Sequence, residues 1–163
     1  MKILLLFLLF TTAVQAQNAV YIDQVGSYNN IYVDQKDIAP KSTNIATTGD
    51  LNTINILQQG LGNHTLGIQN LKGNNNILNL IQTGSGSHEL NIINVPGTTN
   101  NNNTITTNQS GNAGSNKWFN IWLNGTSGVN VSVTQDNATT PDQASMSIQC
   151  LTPPCGTWTY VKH

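Results

Sequence analysis

One spacing governs this chain. Asn18, Gln24, Gly26, Asn29 and Gln35 follow the pattern N-x5-Q-x-G-x2-N-x5-Q, and Asn52, Gln58, Gly60, Asn63 and Gln69 repeat it without a slip. A third copy begins with Asn76, Gln82 and Gly84 and then substitutes Ser87 and Ile93. A fourth keeps Asn103, Gln109 and Gly111 before the spacing drifts. The copies start 34, 24 and 27 residues apart. A unit this short cannot bury an apolar face by itself, so its copies must stack on one another.

Each half of the unit is a seven-residue strand by its alternation. In the second copy one face carries Asn52, Ile54, Ile56 and Gln58, and the other carries Thr53, Asn55 and Leu57. The same face holds Asn18, Val20, Ile22 and Gln24 in the first copy and Asn76, Leu78, Leu80 and Gln82 in the third. These aliphatic residues are the expected core. The second half of copy two is expected to turn the small residues Thr65 and Gly67, with Asn63 and Gln69, toward them and to leave Leu66 and Ile68 outside. Gly permits positive φ and Asn tolerates it, so Gln-x-Gly-x2-Asn reads as a tight turn, as does Gly-x2-Asn at Gly49 to Asn52 and Gly73 to Asn76. The fold class that follows is all-β: a parallel β-solenoid of about four to five strand-turn-strand rungs, cross-β on polymerisation, with equivalent strands about 4.7 to 4.8 Å apart. Stacking lines up Gln24, Gln58, Gln82 and Gln109, and likewise Asn18, Asn52, Asn76 and Asn103. Buried amides are costly unless paired, and such ladders pair them.

Composition removes other functions. Asp, Glu, Lys and Arg make up 8% of the 163 residues, against roughly 25% in ordinary domains. With 25 Asn, 12 Gln and 20 Thr, six Lys, no Arg and a net charge of -1, the chain lacks the bidentate donors that read phosphate or guanine. Specific nucleic-acid binding is therefore not expected, nor is an enzyme, a catalytic residue, a cofactor or a metal site. His64, His88 and His163 share no ligand spacing and read as solvated or turn residues. In copy three the strict register places Glu89 in the core, which a lone carboxylate resists. A register shift that exposes Glu89 and buries His88, Leu90 and Ile92, or else a local bulge, is expected.

The ends differ from the middle. Residues 1–16 join a basic start, Met1-Lys2, to the apolar run Ile3 to Phe10 and a small-residue stretch ending at Ala16, the make-up of a secretory signal peptide. That run is too short to span a bilayer, so no membrane span is expected. Residues 17–111 form the repeat region, interrupted from Lys36 to Thr48, and residues 112–163 read as degenerate terminal rungs or a cap. Cys150 and Cys155, in an exported chain, are expected to form a local disulfide.

The repeat resembles that of the curlin family, the bacterial curli subunits, whose motif is Ser or Asn, five residues, Gln-x-Gly-x2-Asn, five residues, Gln. The likeness is carried by the residues of the two full copies and by Asn76, Gln82, Gly84, Asn103, Gln109 and Gly111 as partial copies. It implies a secreted structural amyloid subunit, of the major or the nucleating type, that self-assembles into cell-surface fibres for adhesion and biofilm matrix. By family it also implies partners: further copies of itself, a second curlin-type subunit, a periplasmic chaperone and an outer-membrane export pore. The alternative is a monomeric β-solenoid adhesin or ice-binding module. That reading calls for regular outward Thr rows, and only Thr104, Thr106 and Thr107 approach one.

Overall fold

The computed structural model describes residues 17–150 and 152–163; the signal-peptide assignment to residues 1–16 lies outside them. The described chain is a parallel β-solenoid of twelve strands in two six-stranded sheets. In chain order the strands are β1 (Ala19–Val25), β2 (Asn30–Gln35), β3 (Lys41–Thr48), β4 (Thr53–Gln59), β5 (His64–Lys72), β6 (Ile77–Gly84), β7 (His88–Asn94), β8 (Thr104–Gly111), β9 (Lys117–Asn124), β10 (Val129–Gln135), β11 (Asp142–Gln149) and β12 (Gly156–Lys162). Odd strands build the first sheet and even strands the second. Each odd-even pair is one rung, so there are six rungs where the spacing suggested four to five. The additional rungs come from two places. Residues 41–48, which seemed to interrupt the repeat, are β3, and the chain beyond residue 111 supplies two full rungs, β9 with β10 and β11 with β12.

This count changes the phase of the repeat. The second full copy is not a rung but half of each of two neighbours, because β4 stacks on β2 and β5 stacks on β3. Its first half belongs to the second sheet and its second half to the first.

Alternation still sets the core, since each strand presents every second residue inward. Columns of like residues form across rungs: Ile45, Ile68, Ile92 and Ile121 in the first sheet, Ile54, Leu78, Ile105 and Val131 in the second, all at most 1% exposed. Leu66 and Ile68 lie in this core, while Thr65 and Gln69 face out. The expected orientation of this half-copy is thus reversed, because His64 rather than Asn63 starts the strand on its inward face. Val20 and Ile22 point along the core columns but remain 48% and 45% exposed, since among the described residues no strand stacks on the far side of β1. Glu89 faces solvent and His88, Leu90 and Ile92 are buried, as the expected shift requires. The pairing of β3 with β5 contains an irregularity in which Gln69 and Asn70 oppose Ala46, with Asn70 at φ 53°, a bulge that returns Leu71 to the core.

Glycine at one corner is a steric requirement. A Cβ on Gly49, at φ +134°, would lie 2.0 Å from the carbonyl oxygen of Gly73 in the next rung. Cys150 and Cys155 are bridged across the turn from β11 to β12. Closing so short a loop removes only about 2 kcal/mol of chain entropy. Reduction is therefore expected to speed amide exchange in β12 and leave β4 and β6 unchanged; equal loss of protection in all three would contradict a local role.

Candidate functional site

The polar interior of the solenoid is a pair of amide ladders. In the second sheet, Gln35, Gln58, Gln82, Gln109 and Gln135 stand in register. Each Nε2 donates to the Oε1 of the next: Gln35 to Gln58 at 2.8 Å, Gln58 to Gln82 at 2.8 Å, Gln82 to Gln109 at 2.9 Å and Gln109 to Gln135 at 2.8 Å. The second N–H of each amide donates across the rung to a first-sheet carbonyl, from Gln58 to Ser42, Gln82 to Thr65, Gln109 to Glu89 and Gln135 to Trp118. One side chain thus joins rung to rung and sheet to sheet, and its buried donors are satisfied.

The asparagine ladder runs at the corner from the first sheet to the second. The Oδ1 of Asn29 accepts the backbone N–H of Asn52, that of Asn52 accepts Asn76, that of Asn76 accepts Asn103 and that of Asn103 accepts Val129. Their Nδ2 groups reach turn carbonyls one rung on, as from Asn29 to Gly49 and Asn52 to Gly73. A third series on the same turns was not evident in the sequence: Asp50 accepts the N–H of Ser27, Asn74 that of Asp50 and Asn101 that of Asn74.

Gln58, Gln82 and Gln109 occupy the expected ladder, but Gln35 takes the place expected of Gln24 and Gln135 extends the ladder beyond Gln109, with Gln24 exposed in β1 beside Thr47. Asn52, Asn76 and Asn103 likewise align with Asn29. Asn18 instead accepts the N–H of Lys41 at 3.2 Å. Gly26 shares the ladder corner with Gly49 and Gly73, whereas Gly60, Gly84 and Gly111 stack at the opposite corner. Asn63 and Gln69 are exposed and belong to neither ladder.

That opposite corner holds a basic column. Lys41, His64, His88 and Lys117 stand in register at the starts of β3, β5, β7 and β9, each 1% exposed. His64 is therefore buried, where a solvated or turn position was expected; His88, for which histidine spacing gave the same expectation, is buried as the shift at Glu89 required, and the two rings stack with centroids 4.9 Å apart. Nε2 of His64 donates to the Gln59 carbonyl and Nε2 of His88 to that of Thr83. Lys41 donates to the carbonyls of Ala39 and Gly60, and Lys117 to those of Asn137 and Thr140. Burial lowers both lysines from their ordinary value, and it lowers both histidines, His88 to about 4. The only sequence signal for this column is that all four residues directly follow a turn.

The two ends of the stack differ. At the first rung Gln35 is the ladder's terminal residue, and Val20, Ile22 and Val25 are exposed. At the last rung Lys162 replaces Gln in the column, and the ladder closes on Asp142, which accepts Gln135 Nε2 at 2.7 Å and the Tyr160 hydroxyl at 3.0 Å. Burial and this carboxylate raise the Tyr160 hydroxyl above its usual range. Among the described residues no three His, Cys, Asp or Glu side chains gather as a metal site, and no helix is long and apolar enough to cross a membrane.

Fold and ladders together define the class: a two-sheet parallel β-solenoid bound internally by stacked side-chain amides. Beyond that class, the chain matches no protein-family model, no curated protein and no solved structure.

Proposed function

We propose that this chain is a secreted structural subunit that polymerises rung upon rung into surface fibres of the curli kind, without a catalytic centre. The single observation that carries the reading is the complementarity of its two open ends. Continuing the register across two copies places Ala144 and Met146 of β11 over Val20 and Ile22 of β1. It also places Trp158 and Tyr160 of β12 over Ile31 and Val33 of β2, and Lys162 over Gln35. Apolar side chains then meet apolar ones, and the ammonium of Lys162 can donate to the terminal amide oxygen. Both edge strands also present the unpaired backbone groups that template a further strand. The curlin-like spacing favours the same reading and supplies its biological setting: export through an outer-membrane pore with a periplasmic chaperone, assembly with like copies and a second curlin-type subunit, and adhesion in a biofilm matrix. The ice-binding alternative gains no support, because Thr53, Thr104 and Thr157 share an outward column with Asn30, Ile77 and Asn130.

Fibre diffraction of residues 17–163 assembled from dilute solution tests the reading. Oriented reflections near 4.7 Å and about 10 Å are expected, and a soluble monomer that never assembles would overturn it. The end contact has its own check. Introducing Val20→Lys with Ile22→Lys places charge on the exposed first rung and leaves the other rungs unchanged. Elongation should slow about tenfold or more while the monomer keeps its β-sheet spectrum; unaltered elongation would rule out β1 as a contact surface.

A further inference from the structure

The proposed assembly uses the two ends of the solenoid and leaves its flanks open. On the outer face of the first sheet a groove of about 840 Å³ runs along the stacking direction. Its floor is a column in register, Thr65, Glu89, Trp118 and Gln143, from β5, β7, β9 and β11, and Ser87 and Asn116 of the neighbouring turns wall it. Thr65, Glu89 and Gln143 are exposed and Trp118 is half-buried. A cavity of this size with one aromatic surface and a few convergent polar groups has the make-up of a ligand site.

The polar groups narrow the ligand. Glu89 is the exposed charge on this floor; one of its oxygens accepts the Asn91 amide at 2.8 Å. The nearby cation, Lys117, is buried and donates to two backbone carbonyls. Asp142 is occupied by Gln135 and Tyr160. An anionic ligand would thus meet a carboxylate and no free ammonium. A hydroxyl, a carboxamide and a carboxylate around an indole instead suit a neutral polyhydroxylated ring, whose C–H face stacks on the aromatic while its hydroxyls pair with the polar groups. The spacing supplies the rest. Successive floor residues are one strand step apart, about 4.8 Å, close to the advance of one hexose in an extended β-linked chain.

We propose that this groove binds a neutral, extended β-linked hexose polymer lying along the solenoid axis, with Trp118 stacked against one ring and Glu89 and Gln143 hydrogen-bonding the hydroxyls of the rings on either side. The site lies on the flank, so it persists in a stack of copies and does not depend on polymerisation.

The test is a titration of the full mature chain with cellohexaose, followed by calorimetry and by indole fluorescence, with maltohexaose as the curved α-linked comparison. Saturable binding of cellohexaose and none of maltohexaose is expected. Trp118→Ala should weaken binding about tenfold, the scale of one lost ring contact, and Glu89→Lys, a change at an exposed position that leaves the core intact, should do likewise. Trp122→Ala, on the same strand but outside the groove, should bind as the unaltered chain does. No saturation with cellohexaose, equal binding of the two oligomers, or a Glu89→Lys chain that binds normally would each overturn the proposal.

Discussion

Replacing Gln82 by Leu is expected to cost about 4 kcal/mol of unfolding free energy, the sum of two buried polar groups left unpaired at about 1 to 3 kcal/mol each. The two are the second N–H of Gln58 Nε2, whose other N–H keeps the Ser42 carbonyl, and Oε1 of Gln109, both of which Gln82 engages; the carbonyl of exposed Thr65 can take water in its place. Leu nearly preserves side-chain volume, so the loss reports hydrogen bonding more than a cavity. The same change at Gln35 should cost less than about 1 kcal/mol. There Gln58 Oε1 keeps the hydroxyl of Thr43 at 3.0 Å, and Ala19 is exposed enough for its carbonyl to take water. Guanidinium unfolding of dilute, unassembled protein measures both. Equal losses at the two positions would show that the ladder does not carry the stability of the middle rungs.

That contrast between Gln35 and Gln82 bears on what could be read from the sequence. The solenoid, its parallel pairing and the members Gln58, Gln82 and Gln109 were legible, because a period of two fixes which residues face inward and repetition fixes which ones stack. The phase was not. Gly-x2-Asn occurs at both corners, as Gly26 to Asn29 at one and Gly60 to Asn63 at the other, so a true five-position match joined a whole rung to two half rungs. The recurrence of Gly26, Gly49 and Gly73 at 23 and 24 residues was the signal that separates the corners. β3 was overlooked for a related reason: Thr43, Ile45 and Thr47 give a weak apolar face, and Thr43 is held by its hydroxyl contact with Gln58 rather than by hydrophobicity. Glu89 was placed correctly because a carboxylate at an inward position has no inexpensive solution. Lys41 and Lys117 were invisible for the opposite reason. A lysine beside a turn ordinarily extends into water, and only the register shows that backbone carbonyls receive these two.

Acid should loosen the rungs that this basic column joins. His88 sits between His64 on β5 and Lys117 on β9, with the Thr83 carbonyl of β6 at its Nε2. Lys41 lies beyond His64, Asp142 lies beyond Lys117, and Glu89 next to it points outward. Its Nδ1 accepts the backbone N–H of Lys117 at 3.2 Å, so a second ring proton would face a donor. Burial first, then the positive neighbours His64 and Lys117, hold His88 near 4 against an ordinary 6.5. A depressed folded-state value means that the stability is complete above pH 6.5, where neither state carries the proton. As pH falls from 6.5 to about 4, the unfolded chain takes up a proton that the folded chain refuses, at about 1.4 kcal/mol per unit. The loss from His88 alone reaches about 3 kcal/mol by pH 4 and then stops, and His64 shifts in the same direction. Urea unfolding at intervals between pH 7.5 and 4 should trace this fall, and the double variant His64→Gln with His88→Gln should flatten it. A profile with the same slope in both chains would show that the acid sensitivity does not arise at this column.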